Sequence, residues 1–139
     1  MRRLWPLLFV ACQPPEPAAA PERCGVTCVD GHLVTAGHCL VPPTDDPVNE
    51  LPLSCQWRCT RAARQDEAVD VNGRGGLVVV DPNWGHYLIL DGPFRPGESG
   101  GPVSARSDGC LLGVALENHD RMGYAWALAD LQDGGQNTP

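Results

Sequence analysis

Residues 77–90 read LVVVDPNWGHYLIL, two short apolar runs separated by residues that favour a turn. Runs of four rich in Val, Ile, Leu and Tyr are typical of strands, and the Asp-Pro-Asn and Gly between them end one run before the next begins. Similar runs lie on both sides of this pair. We expect strands at residues 26–29, 32–36, 53–59, 68–71, 77–80, 87–90, 103–105, 111–116 and 124–128. Regular short strands with turn signals predict an all-β fold, here a pair of β-barrels with little helix.

Composition narrows the function classes. The chain has 139 residues, enough for one domain, and a net charge of −7 without a single Lys. The absence of Lys excludes a Ser–Lys dyad, a Schiff-base lysine and a P-loop lysine. An acidic chain without basic runs also argues against nucleic acid as a partner. Seven cysteines in so short a chain indicate an oxidising compartment.

The N-terminus is typical of a targeting segment. Residues 1–12 read MRRLWPLLFVAC, with two Arg before an apolar stretch too short to span a bilayer. The ending FVAC resembles the bacterial lipobox, which implies a signal peptide over 1–11 and a lipid on Cys12 that anchors an exported protein to the cell-envelope membrane. The alternatives are cleavage near residues 18–20, giving a secreted protein, and a structural Cys12. Residues 12–23 read as a Pro/Ala-rich tether, and 24–139 as the folded domain.

Two motifs carry chemistry. Residues 33–39 (LVTAGHC) are an apolar strand that ends in a small-residue turn presenting His38. Residues 95–102 (RPGESGGP) place Ser99 between glycines, and such a turn can direct the N–H groups of Gly97 and Ser99 at one spot, as a developing oxyanion requires. Each motif alone is also compatible with an ordinary loop histidine and a Gly-rich hairpin turn.

Together the motifs resemble those of a known family. TAGHC is similar to the TAAHC, and GESGGP to the GDSGGP, of trypsin-like serine proteases. The layout of residues 88–99 (LILDGPFRPGES) is similar to the Deg-type (heat-shock) branch, and the resemblance covers about residues 24–129. It implies a chymotrypsin-like double β-barrel in a shortened form and hydrolysis of protein or peptide substrates through an acyl-enzyme. In that reading Ser99 is the nucleophile, His38 the base, and Gly97 and Ser99 form the oxyanion hole, with no cofactor or metal.

The third triad member is an Asp between His38 and Ser99. Residues 66–69 (DEAV) fit the family pattern best, which makes Asp66 the first choice and Asp70 the second. Asp91 belongs to the stretch leading to Ser99 and is read as structural. The family domain is longer than this one, and we expect one or two strands to be missing or very short between Asp66 and Ser99.

The resemblance also implies a specificity pocket and a disulfide. Pro93 and Phe94 lie where the family places the base of the pocket, and their lack of charge predicts cleavage after uncharged, apolar residues. His119 or Arg121 could line the rim. A bridge between Cys24 and Cys39 is implied by the family. The remaining pairings stay open, and zinc binding by the two C-x3-C pairs, Cys24/Cys28 and Cys55/Cys59, is the alternative.

Glu98, just before the nucleophile, is expected to be a solvated turn carboxylate. Trypsin-like enzymes insert a freed N-terminus beside this acid, and no such activation is expected here. The sequence is compatible with three functions: an envelope-tethered serine endopeptidase, a catalytically silent trypsin-like fold acting as a binding module, and a small disulfide- or zinc-stapled structural lipoprotein. The oligomeric state is not predicted.

Overall fold

The fold consists of antiparallel β-sheet. A computed structural model describes residues 24–80 and 86–129, and within them there is no α-helix. The elements are β1 (Thr27–Val29), β2 (His32–Ala36), a 3-10 turn (Gly37–Cys39), β3 (Val48–Ser54), β4 (Ala68–Val71), β5 (Arg74–Val80), β6 (Tyr87–Leu90), β7 (Pro102–Ala105), β8 (Leu111–His119) and β9 (Met122–Ala127). The strands form a three-stranded sheet of order β1-β2-β3 and a closed barrel of order β4-β5-β6-β9-β8-β7. This confirms the predicted all-β fold, with one closed barrel and one open sheet where a pair of barrels was expected.

The barrel closes around an apolar core. Alternate residues of its strands point inward, as Val69 and Val71 of β4 and Val103 and Ala105 of β7 do, and all four are essentially inaccessible to water. Burial of such side chains is the main favourable term in folding. The two predicted Asx-Gly turns are confirmed, because Asp30-Gly31 joins β1 to β2 and Asn72-Gly73 joins β4 to β5, each with positive φ at both residues.

The N-terminal sheet is the smaller of the two sheets. Three barrel strands, β4, β5 and β6, lie between Asp66 and Ser99. One or two strands were expected to be missing or very short in that segment, and β4 and β6 are short, with four residues each. The two-residue turn between β4 and β5 explains how so short a segment suffices. The sheet before it has three strands and does not close.

The third strand also differs from its prediction. β3 runs over Val48–Ser54, whereas the expected strand was 53–59. The four prolines and three acids of residues 41–52 are typical of a surface loop, since proline cannot donate to a ladder. β3 pairs with β2 alone, and its register shifts beside Leu51, so a proline is tolerated on this edge strand.

Three disulfides link these parts. Cys24–Cys39 is confirmed, and the other pairs are Cys28–Cys55 and Cys59–Cys110. They use all six cysteines of residues 24–139, which favours an oxidising, extracytoplasmic compartment. In the described residues no helix has the length and apolarity needed to cross a membrane.

Candidate active site

Ser99 lies on a turn built from glycine. Gly97 and Gly100 both adopt positive φ, +92° and +88°, which other residues resist. At Gly100 there is a second constraint, because an added Cβ would lie 2.3 Å from the carbonyl oxygen of Gly25 and 2.4 Å from Oγ1 of Thr35. The turn is therefore pressed against the segment that leads into β1 and against β2.

Three contacts hold Ser99 between the sheet and the barrel. Its carbonyl oxygen accepts a hydrogen bond of 2.6 Å from the N–H of Gly25 and lies 3.8 Å from Sγ of Cys39. Its hydroxyl donates to the carbonyl oxygen of Leu116 on β8, at 2.7 Å. The side chain is half-buried, and it sits where the two sheets meet.

The amide N–H groups of Gly97 and Ser99 are available to an acceptor. Within the described part of the chain, neither the N–H of Gly97 nor that of Ser99 donates a hydrogen bond, while the N–H of Glu98 between them donates to the carbonyl oxygen of Arg95 at 3.1 Å. Two N–H groups one residue apart on a tight turn, both open to an acceptor, are what stabilisation of an oxyanion needs.

His38 follows β2 on the 3-10 turn Gly37–Cys39 and is exposed. One of its ring nitrogens lies with Sγ of Cys24 and Sγ of Cys39 in a group whose atoms are all within 4.8 Å of one another. The two sulfurs are joined in a disulfide, so they do not act as thiolate ligands and the group is not a metal site. The disulfide is instead close to both residues, since Sγ of Cys39 also lies 3.8 Å from the carbonyl oxygen of Ser99.

His38 lines a cleft of about 250 Å³ between the N-terminal sheet and the barrel. Leu116 forms part of the cleft wall, and its carbonyl oxygen is the group that holds the Ser99 hydroxyl. The two predicted residues therefore adjoin one wall. No hydrogen bond joins them among residues 24–80 and 86–129. The cleft is lined by Gly37, His38, Thr44, Asp45, Asp46, Pro47, Tyr87, Leu116 and Glu117.

The two sequence candidates for the carboxylate lie on the barrel. Asp66 is exposed in the turn before β4, and its N–H donates to the carbonyl oxygen of Val78. Its carboxylate makes no hydrogen bond or ion pair with His38 in the part of the chain that is described. Asp70 on β4 is bound to Arg106, with Oδ1 2.8 Å from Nη2. The assignment of Asp66 stays a prediction.

The proposed pocket residues have different surroundings. Pro93 is exposed, whereas Phe94 is buried in the barrel core, where its ring would lie 3.1 Å from a Cβ added at Gly123. Asn118 of β8 clamps Phe94: its Oδ1 accepts from the Phe94 N–H at 2.7 Å, and its Nδ2 donates to the Phe94 carbonyl oxygen at 3.0 Å. No pattern in the sequence indicates this pair of hydrogen bonds, since the two residues lie 24 positions apart.

Glu98 is not the solvated carboxylate that was expected. It is 5% exposed and binds Arg74, the first residue of β5, through two hydrogen bonds. The N–H of Arg95 donates to the same carboxylate at 2.8 Å. The guanidinium of Arg74 therefore balances the charge of Glu98, the acid next to Ser99.

Comparison with known proteins gives a likeness in structure. No known family matches the sequence, and no curated protein matches it. Among solved structures, the chain is similar to the crystal structure of the Rv3671c protease in its inactive form, with 16% identity and a TM-score of 0.48 over 81% of this chain and 84% of that one.

Proposed function

We propose that this chain is a serine endopeptidase in which Ser99 attacks a peptide carbonyl and His38 acts as the base. The observation that supports the proposal is the placement of Ser99: it sits on a glycine turn with two unused amides, and its hydroxyl is bound to a carbonyl in the wall of the His38 cleft. A nucleophile, a nearby imidazole and two free donors are the parts that acyl transfer requires.

The steps follow from these groups. The Ser99 hydroxyl exchanges its bond with Leu116 for one with a His38 nitrogen, which takes the proton as Oγ bonds to the substrate carbonyl carbon. The developing oxyanion accepts from the N–H groups of Gly97 and Ser99. His38 then protonates the leaving amine, and a water repeats the sequence to release the acid.

Fluorophosphonate labelling tests the proposal. The reagent bonds covalently to activated serines, so the wild-type chain should be labelled once, and Ser99→Ala and His38→Ala should abolish labelling. Ser104→Ala is the matched control, because Ser104 is a half-buried serine on β7 outside these contacts. Labelling that persists in Ser99→Ala, or no labelling of a folded wild-type chain, contradicts the proposal.

One observation favours a second candidate. The Ser99 hydroxyl is bound to Leu116 and not to His38, an arrangement that a silent, trypsin-like binding module would also have. Such a module would use the cleft to hold a peptide without cleaving it. An unlabelled Ser99 together with saturable peptide binding would identify it.

We also propose tethering to the cell envelope through a lipid on Cys12, which lies outside the described residues. The three disulfides leave no cysteine in the chain to pair with Cys12. Mass spectrometry of the membrane fraction should find a diacylglyceryl group on Cys12, and a soluble product that starts near Pro21 would refute the lipid anchor.

We propose further that the enzyme cleaves after uncharged residues. A peptide library that showed strict cleavage after Arg or Lys would refute that preference.

A further inference from the structure

The loop between β2 and β3 is fastened to the turn that carries His38. The N–H of Gly37 donates to the carbonyl oxygen of Pro47 at 3.0 Å, and the N–H of Thr44 donates to the carbonyl oxygen of Gly37 at 3.1 Å. There is no space between the two, because a Cβ on Gly37 would lie 2.0 Å from the carbonyl oxygen of Asp46. The loop and the His38 turn therefore form one unit.

Asn49 braces the same loop from β3. Its Nδ2 donates to Oγ1 of Thr44 at 2.9 Å and to the carbonyl oxygen of Asp46 at 3.3 Å. The backbone of Asp46 is thus held on one side by Asn49 and on the other by Gly37, whereas Asp45 has neither contact. A carboxylate on so fixed a backbone is suited to orienting a neighbouring ring.

Asp46 and His38 line the same cleft, and the other candidate carboxylates either have another partner or lie outside the cleft lining. Asp70 is bound to Arg106, and Glu117 of the cleft wall is bound to His119 at 2.8 Å. Asp66 is exposed in the turn before β4 and is not among the residues that line this cleft. The carboxylate of Asp46 forms no ion pair within the described residues.

We propose that Asp46 is the positioning residue for His38, in place of Asp66. The inference rests on the proposed function. Its carboxylate accepts a hydrogen bond from the N–H of the imidazole, so the other ring nitrogen is left to accept the Ser99 proton. The same carboxylate stabilises the imidazolium that forms. The titratable groups that face His38 in the cleft are Asp45, Asp46, Tyr87 and Glu117, so the test must separate Asp46 from its neighbours.

Nitrogen NMR of the His38 ring decides the point without any activity. A carboxylate that accepts a hydrogen bond from one ring N–H fixes the tautomer of the neutral imidazole, and an amide in its place can favour the other tautomer. Asp46→Asn should therefore change the chemical shifts of both ring nitrogens, whereas the matched controls Asp45→Asn and Asp66→Asn should leave them close to those of the wild type. Unchanged shifts in Asp46→Asn, or an equal change in either control, overturn the assignment.

Labelling kinetics supply the second readout. Asp46→Asn should slow fluorophosphonate labelling of Ser99 by about 100-fold or more, whereas Asp66→Asn should leave it within about twofold. Unchanged labelling in Asp46→Asn overturns the assignment. Failure of the wild-type chain to react at all would refute the serine endopeptidase, while the NMR spectra of the His38 ring would still decide whether Asp46 acts on His38. Asn preserves the backbone contacts of residue 46, and a thermal unfolding curve close to that of the wild type checks this.

Discussion

Arg74 and Glu98, the residue directly before Ser99, form a two-point ion pair. Nε and Nη2 of Arg74 lie 2.9 and 2.6 Å from the two carboxylate oxygens, and Nη2 also donates to the carbonyl oxygen of Pro93 at 3.0 Å. Burial alone would raise the pKa of Glu98, but the guanidinium of Arg74 and the N–H of Arg95 outweigh it, so the pKa lies below its ordinary range. A charge supplied by the barrel therefore fixes the turn that carries Ser99.

The Arg74–Glu98 ion pair should contribute far more to the free energy of unfolding than the exposed ion pairs of the barrel do. Arg74→Met leaves the buried carboxylate of Glu98 without a cation, and we expect the free energy of unfolding to fall by about 3 kcal/mol. Arg106→Met is the matched control, because its partner Asp70 is partly exposed, and it should cost at most about 1 kcal/mol. Urea unfolding measures both, and equal losses would contradict this account. Labelling of Ser99 should also fall in Arg74→Met, since the turn loses its anchor.

The same pair predicts a pH dependence with a definite sign. The pKa of Glu98 is lower in the folded chain than in the unfolded one, so its contribution to stability is complete above the unfolded value, about 4.3, and disappears as pH falls through the folded value. The difference in free energy of unfolding between wild type and Glu98→Gln should be constant from about pH 6 to 8 and shrink below about pH 4. Asp91→Asn, at an exposed site, controls for general acid effects. A difference that grew on acidification would reverse the sign and refute the prediction.

The parts of the structure that sequence predicted are local ones. Strand runs with period two and the turns at Asp30-Gly31 and Asn72-Gly73 depend on neighbouring residues, and they are found where expected. The motifs around His38 and Ser99 likewise consist of contiguous residues. The edge strand β3 was misplaced because its proline is tolerated only where one side is unpaired, a fact of tertiary structure.

Contacts across the chain could not be predicted. Arg74 meets Glu98 and Asn118 meets Phe94 over 24 residues each, through strand pairing that one sequence does not specify. The proposed carboxylate of His38 depends on such contacts too. A motif indicates Asp66, which stays a prediction, whereas Asp46 lines the cleft of His38, a position that sequence alone does not reveal.

Two glycines with the same backbone conformation should respond differently to alanine. Gly100 and Gly73 both have φ near +90°, so each substitution carries the strain of a left-handed residue, about 1–2 kcal/mol. A Cβ at Gly73 meets nothing within 4 Å, but at Gly100 it meets Gly25 and Thr35 at 2.3 and 2.4 Å. Gly100→Ala should therefore lower the free energy of unfolding by at least about 2 kcal/mol more than Gly73→Ala. Thermal unfolding measures the difference, and similar losses would show that the nucleophile turn is not pressed against the sheet.

Removal of either of two disulfides should lower the stability of the fold by a similar amount, but only one of the two removals should slow the reaction of Ser99. Cys24–Cys39 closes a loop of 15 residues beside His38, and Cys28–Cys55 closes one of 27 residues at the far end of β3. Replacing either pair by alanine should cost about 3 kcal/mol, because both loops constrain the unfolded chain.

Only the first bridge, Cys24–Cys39, lies within 4.8 Å of a His38 nitrogen and 3.8 Å from the carbonyl oxygen of Ser99. Its loss frees the His38 turn from the segment whose Gly25 binds Ser99, and a misplacement of about 1 Å is enough to slow acyl transfer by up to about 100-fold. Fluorophosphonate labelling should therefore slow at least about tenfold in Cys24→Ala/Cys39→Ala and stay near the wild-type rate in Cys28→Ala/Cys55→Ala, both measured well below their unfolding temperatures. Equal rates in the two variants would mean that the bridge beside His38 stabilises the fold without placing the base.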